Sequence, residues 1–271
     1  MRFLTGRRAW AQVIAGLVAA TLVMETSLDL IEASPLWRVL PVAEIAPYGP
    51  DPDTGYRHRP NVSGVWLTES RARVTISALG LRDRDRPFER SAAPRAIVLG
   101  NSLIEALQVE QQQTAVAIAE QILDRARLGA EVINLGLAGA TPPVDVARLR
   151  SVGLPLHPDI AVIVLASGEL RRDVVGNDDK TPGYRRTANG QLALSYGFRD
   201  VPGFRFRTSE ARGLIYWLID HSAIARLVNN RKNLGFLAEW PGMRAEPSPI
   251  EDLLGDGHGC LLLLDLQGFD Q

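Results

Sequence analysis

In this chain of 271 residues, the segment Ile97-Val98-Leu99-Gly100-Asn101-Ser102-Leu103-Ile104-Glu105 holds the side chain best suited to covalent chemistry. An apolar run ending in Gly100 and passing into helix-forming residues puts Ser102 at a helix start, where unpaired N–H groups and the helix dipole favour developing negative charge. That is the setting of a nucleophile. The same letters have a second reading, because Ser102 and Glu105 match the S-x-x-E capping box and would both be needed for structure alone. Two further turns carry glycine: Asn134-Leu135-Gly136-Leu137-Ala138-Gly139-Ala140-Thr141, and Ala166-Ser167-Gly168-Glu169-Leu170. Glycine there lets the backbone approach a ligand closely. No G-x-G-x-x-G follows the first run and no P-loop signature occurs, so dinucleotide and nucleoside-triphosphate sites lack their first requirement. Cys260 is the only cysteine, which excludes an internal disulfide and a cysteine-based zinc site. Neither a cofactor nor a metal is expected.

The elements that position these residues read as strand, helix, strand, helix, strand. Residues 96–99, 132–135 and 160–166 are apolar or nearly so without alternation, as strands buried on both faces of a parallel sheet should be. Between them, Ala115, Ile118, Ala119, Ile122, Leu123 and Ala126 recur at helical spacing and Gly129 supplies a stop. Thr141 before Pro142 opens a second helix. A third is expected over residues 209–230, with Leu214, Trp217, Leu218, His221, Ala225 and Val228 on one stripe. The fold class is therefore α/β, with sites at the carboxyl ends of the strands. Residues 63–81 suggest a small β-hairpin. Residues 34–62 hold Pro35, Pro41, Pro47, Gly49, Pro50, Pro52, Gly55 and Pro60, which reads as an irregular lead-in, and residues 171–208 read as a polar loop. Arg71, Arg73, Arg82, Arg84, Arg86 and Arg90, interrupted by Asp83, Asp85 and Glu89, read as a solvated mixed-charge stretch.

Composition sets the class: 46% hydrophobic, 23% charged and a formal net charge of -1 describe a globular chain and exclude a disordered tail. A charge so near zero also argues against nucleic acid, since phosphate neutralisation needs clustered Lys and Arg. Arg2, Arg7 and Arg8 precede an uncharged run from Ala9 to Met24, the layout of a signal peptide or signal anchor. At ~1.5 Å per residue the run spans about 24 Å, short of the ~30 Å hydrocarbon core unless the arginines snorkel or the bilayer thins. Small residues are poorly placed for cleavage, so an uncleaved membrane anchor through residues 9–24 is expected, with a cleaved signal or a core helix as alternatives. Positive charge on the N-terminal side sends the rest of the chain out of the cytoplasm. The expected organisation is a membrane segment over 1–33, the lead-in and hairpin over 34–90, and an α/β domain over 91–271.

Taken together, Gly100-Asn101-Ser102, Asn134-Leu135-Gly136-Leu137-Ala138-Gly139 and Ser167-Gly168-Glu169 resemble the G-D-S, N-x-G-x-x-G and G-N-D blocks of the SGNH/GDSL hydrolase family. Gly55-Tyr56-Arg57-His58-Arg59-Pro60-Asn61, Gly80-Leu81-Arg82-Asp83, Glu105-Ala106-Leu107-Gln108-Val109 and His157-Pro158-Asp159 are similar to its membrane-anchored, envelope-facing branch. The likeness extends over roughly residues 50–175. It implies an α/β/α sandwich and acyl- or acetyl-ester hydrolysis on a small molecule, glycan or lipid. Ser102 would be the nucleophile, and the Ser102 and Gly139 N–H groups with position 169 would form the oxyanion hole. Two departures stand out. Asn101 replaces the first-block aspartate, keeping an acceptor and gaining donors. Glu169 replaces the third-block asparagine, and an ionised carboxylate cannot donate to an oxyanion. Gly176-Asn177-Asp178 spells the third block a few residues late, as a decoy.

In that family the base comes from an Asp-His motif before the last helix, and Asp256-Gly257-His258 is the candidate, His258 accepting the serine proton and Asp256 fixing its tautomer. Here Gly259-Cys260-Leu261-Leu262-Leu263-Leu264 follows, which reads as a buried strand, with residues 250–254 as a short helix before it; His258 is then either base or turn residue. His58 in the lead-in, His157 before Pro158 and His221 on the helix stripe are read as structural. The chain is thus a serine ester hydrolase or, in the second reading, a catalytically inactive binding or scaffold module.

Overall fold

Parallel strands form where the apolar runs lack alternation: β5 (Arg95–Gly100), β6 (Glu131–Asn134) and β7 (Ile160–Leu165). This is a computed structural model that describes residues 7–38, 44–165, 180–229 and 260–265. The chain divides into two compact units, Met1–Ala46 with Leu214–Arg244, and Pro47–Gly213 with Ala245–Gln271.

In the second unit β5 is central, parallel to β6 on one side and β7 on the other, and β10 (Cys260–Asp265) closes the far edge antiparallel to β7. The sheet is mixed α/β in character, and the leucine run is a strand as read. Both faces are covered. Ile97, Leu99, Ile133, Leu135, Ala161, Ile163 and Leu165 pack with Leu149 and Leu156, whereas Ala96, Val98, Val132 and Val164 pack with Ile104, Val116 and Leu123. The helix supplying Val116 and Leu123 is α3 (Ala115–Arg125), which follows the one-turn α2 (Ser102–Glu105). Its inward residues differ from the expected stripe, for Ile118 and Ile122 are exposed. Leu149 lies beyond α4 (Pro142–Arg148), in a π-turn over Leu149–Gly153. Thr141 occupies the N-cap position of α4, but Pro142 makes the start and the threonine side chain forms no capping bond.

Two expectations for loops are corrected. Within the supposed lead-in, β1 (Tyr48–Asp51) and β2 (Gly55–His58) pair as an antiparallel hairpin. Its prolines and glycines are turn chemistry: Asp51 Oδ1 accepts from the Asp53 and Thr54 N–H groups and from the Thr54 hydroxyl, each at 2.9 Å, and Gly55 takes φ +84°. The expected hairpin β3 (Ser63–Trp66) with β4 (Ala72–Thr75) is present. The supposed loop over 171–208 contains a hairpin, β8 (Gly183–Arg186) with β9 (Leu192–Ser195), and the short helix α5 (Pro202–Arg207).

The mixed-charge stretch is a solvated face only in part: Arg71, Arg73, Arg84, Asp85, Glu89 and Arg90 are exposed, as read. Arg82, Asp83 and Arg86 are buried. Arg82 donates to the Val109 carbonyl at 2.8 Å. Asp83 accepts from Arg86 Nη2 at 3.0 Å and from the Asn134 N–H of β6 at 2.9 Å, while Arg86 also reaches Glu120 and the Val132 carbonyl. Alternating charge there is internal pairing between a loop, α3 and β6.

In the first unit, α1 (Arg7–Ala33) is a single apolar helix of 27 residues, long and apolar enough to cross a membrane. It runs past Met24 through Glu25, Asp29 and Glu32. The helix expected over 209–230 is two helices, α6 (Glu210–His221) and α7 (Ala223–Asn229). The break falls at Ser222, where Glu25 Oε2 accepts from the Ser222 hydroxyl at 3.1 Å and Glu25 Oε1 from the Ala223 N–H at 2.5 Å. A carboxylate at the start of α7 satisfies orphan N–H groups as a cap does.

Candidate functional site

Because the chain places β6 on one side of β5 and β7 on the other, the strand order reverses at β5, and open sheets bind ligands outside the carboxyl end of such a strand. Ser102 lies there. Gly100 ends the strand at φ +149°, where a Cβ would press on Ile104 and on the Val164 carbonyl. Asn101 is the N-cap, its side chain accepting from the Leu103 N–H at 2.9 Å, and Ser102 opens the turn, exposed to solvent. The expected S-x-x-E capping box is absent: the cap is Asn101, and Glu105 points into the interior. A single turn aligns few peptide dipoles, so the exposed hydroxyl and free N–H groups matter more here than a macrodipole.

The loop after β6 lies against this turn. Leu137 N–H donates to the Gly100 carbonyl at 2.9 Å, which continues the β5–β6 ladder past the strands and brings the loop carrying Gly139 beside that carrying Ser102. Asn134 joins the two, its amide donating to the Ile104 carbonyl at 2.8 Å while its Oδ1 accepts from Gly136 N–H at 2.8 Å. A Cβ at Gly136 would collide with the backbone of Ile104 and Glu105. Gly139 takes φ +73°, and Tyr56 Oη stands 3.1 Å from where its Cβ would be.

The hairpin β1–β2 underlies both loops. Tyr56 Oη donates to the Ala138 carbonyl at 2.5 Å. Glu105, buried at 1% exposure, accepts from Tyr48 Oη at 2.8 Å and lies 2.6 Å from His58 Nε2. His58 is fully buried with its ring stacked on Tyr48. Desolvation pushes the His58 pKa down, against the hydrogen bond and charge of Glu105 and a favourable backbone contribution at Gly80, with Arg148 adding to the fall. A neutral ring facing a carboxylate carries its proton on Nε2. Tyr48 and Tyr56 are both pushed well above the ordinary phenol value, first by burial and then by the Glu105 charge, so both hydroxyls stay donors. Arg148 is buried nearby, its Nε donating to the Leu135 carbonyl at 2.7 Å.

Sequence reasoning missed this cluster: His58 was placed in an irregular segment and Glu105 in a cap. The signal was the alternation of Tyr56 and His58 at period two, which puts both on one face of a strand. Of the other histidines, His157 is an exposed residue in the left-handed region closing a 3-10 turn, and His221 is exposed, stacked on Trp217 with Nδ1 2.8 Å from the Trp217 carbonyl. Glu169, the 176–178 decoy, Asp256 and His258 lie outside the described residues. Among the described residues no group of three His, Cys, Asp or Glu could hold a metal ion. Comparison with protein-family models, with curated proteins and with solved structures gives no match.

Proposed function

We propose that the chain is a serine ester hydrolase of the SGNH/GDSL type with an α/β/α sandwich, held by α1 at a membrane and acting outside the cytoplasm on acyl or acetyl esters of envelope glycans or lipids. The observation that carries this reading is the meeting of the Ser102 and Gly139 loops at the carboxyl end of the parallel strands. Ser102 follows the carboxyl end of β5 and Gly139 that of β6; Glu169 comes four residues after Leu165 ends β7. Because β10 is antiparallel, Cys260 pairs with Leu165 at that same edge, and Asp256-Gly257-His258 leads into it.

In this reading the Ser102 hydroxyl attacks the ester carbonyl, His258 takes its proton and later delivers it to the leaving alkoxide, and Asp256 holds the imidazole tautomer. The Ser102 and Gly139 N–H groups face the oxyanion. Glu169 opposes it. The acyl group leaves Ser102 when water, activated by the same histidine, attacks the acyl-enzyme. The anchor is retained, since Glu25 caps α7 and cleavage after α1 would remove that cap; Arg2, Arg7 and Arg8 direct the remainder outward. A second reading, a catalytically inactive binding or scaffold protein, is favoured by a glutamate, Glu169, where the resemblance calls for an asparagine donor.

A fluorophosphonate probe on the full chain in detergent tests the pair. Hydrolase function predicts adduct formation on Ser102 that Ser102→Ala abolishes. Glu169→Asn restores a donor and removes a repelling charge, so turnover of a small acetyl ester should rise about 10²-fold or more, and His258→Ala should cancel that gain. A folded chain inert as wild type and as Glu169→Asn would establish the inactive module.

A further inference from the structure

Most of the apolar stripe read over residues 214–228 lies on the surface. On α6, Leu214, Ile215, Trp217 and Leu218 are 60%, 37%, 55% and 44% exposed, while Ile219, at the margin of this patch, and Ala223 of α7 are buried. Spacings of three and four residues put the exposed four on one side of the helix. Neighbouring large apolar side chains left exposed together mark an interaction surface.

What they meet follows from α1. The uncharged run ends at Met24, so a helix crossing a bilayer brings Glu25 to the membrane surface, because a carboxylate in the hydrocarbon core is costly. The Glu25 carboxylate binds the Ser222 hydroxyl and the Ala223 and Ile224 N–H groups. One turn and two turns further along α1, Asp29 and Glu32 hold Arg226 at 3.7 and 2.9 Å. These contacts pin the α6–α7 junction at the depth of Glu25. Leu218 precedes Ser222 by four residues and Leu214 by eight, so at ~1.5 Å per residue the patch lies within about 12 Å of that depth whichever way α6 points. An interfacial helix buries its apolar side about 5–10 Å into the headgroup and acyl boundary, and tryptophan favours that zone.

We infer that the Leu214, Ile215, Trp217 and Leu218 face of α6 rests on the lipid surface of the membrane that α1 crosses, making a second attachment beside the spanning helix. The inference rests on α1 being a retained anchor. Full-length protein in phosphatidylcholine nanodiscs tests it, with lipid brominated near the headgroup end of the acyl chain as quencher and aqueous iodide as its counterpart. Subtracting the emission of Trp217→Phe from that of the unaltered chain isolates Trp217, and Phe keeps an aromatic ring against His221. The expected result is that bromolipid lowers this emission about twofold or more, as contact depth requires. Quenching by iodide with no effect of bromolipid would overturn the inference in favour of water. Shielding from both would overturn it in favour of a protein cover, a second copy or another segment. The same subtraction with Trp10→Phe reports α1: if Trp10 is not reached by bromolipid, the anchor itself fails and the inference falls with it, distinguishably.

Discussion

Glu105→Ala should lower the stability of the α/β unit by about 3 kcal/mol or more, the usual result of removing one member of a buried, hydrogen-bonded charged cluster. The carboxylate is the acceptor for both Tyr48 and His58. With it gone, two buried donors lack a partner, and Arg148 loses the largest attraction offsetting its own burial. Glu105→Gln keeps an acceptor oxygen and should cost less, about 1–2 kcal/mol. Guanidinium denaturation of the full chain in detergent, followed by near-ultraviolet circular dichroism, reads the difference; an unchanged midpoint for Glu105→Ala would refute it. The same cluster sets an acid limb. His58 is held neutral in the fold and has a pKa of ~6.5 when unfolded, so below about pH 6.5 the unfolded state binds the extra proton and stability falls as pH falls. His58→Asn, which retains an N–H donor but does not titrate, should flatten that limb.

Asp83→Ala should be as damaging, by about 3–5 kcal/mol. Burial raises the Asp83 pKa despite the Arg86 charge beside it. Removing the carboxylate leaves Arg86 with Glu120 and the Val132 carbonyl alone and frees the Asn134 N–H. Asn134 ties the β6 loop to the turn of Ser102, so hydrogen exchange at Leu135 and Gly136 should quicken in Asp83→Ala beyond what the shift in global stability explains. A loss below 1 kcal/mol would return this stretch to the solvated reading.

The strands were legible because nothing competes with a continuous apolar run: β5, β6, β7 and the leucine strand β10 all fall where hydrophobic letters cluster. The helices were legible in place and less so in orientation. On α3 the isoleucines dominate the pattern, yet Val116 and Leu123 face the sheet, since helix rotation is fixed by where α3 meets β6. The break at Ser222 was invisible locally, because it depends on Glu25, almost 200 residues away in the chain. Proline and glycine misled over 48–58, where they shape a tight turn rather than exclude a strand. Alternating Arg and Asp misled at Arg82, Asp83 and Arg86, since identical letters serve a wet surface or a closed set of pairs, and only the fold supplies the partners. For the candidate site, the Ser102 and Gly139 loops were legible from their motifs, whereas Glu105 was misassigned because a capping box and a buried acceptor are written the same way.

β7 has a bearing on how the chain is made. Among the described residues its outer edge is paired by Cys260–Asp265, residues the ribosome delivers about a hundred positions after β7 itself. Through that interval a nascent chain carries a bare, valine- and isoleucine-rich strand edge, the kind of template on which neighbouring chains associate. Ribosome-bound chaperones or slow translation over 166–259 would therefore matter more to yield than the stability of the finished fold, and any truncation that removes 260–265 leaves the hazard permanent.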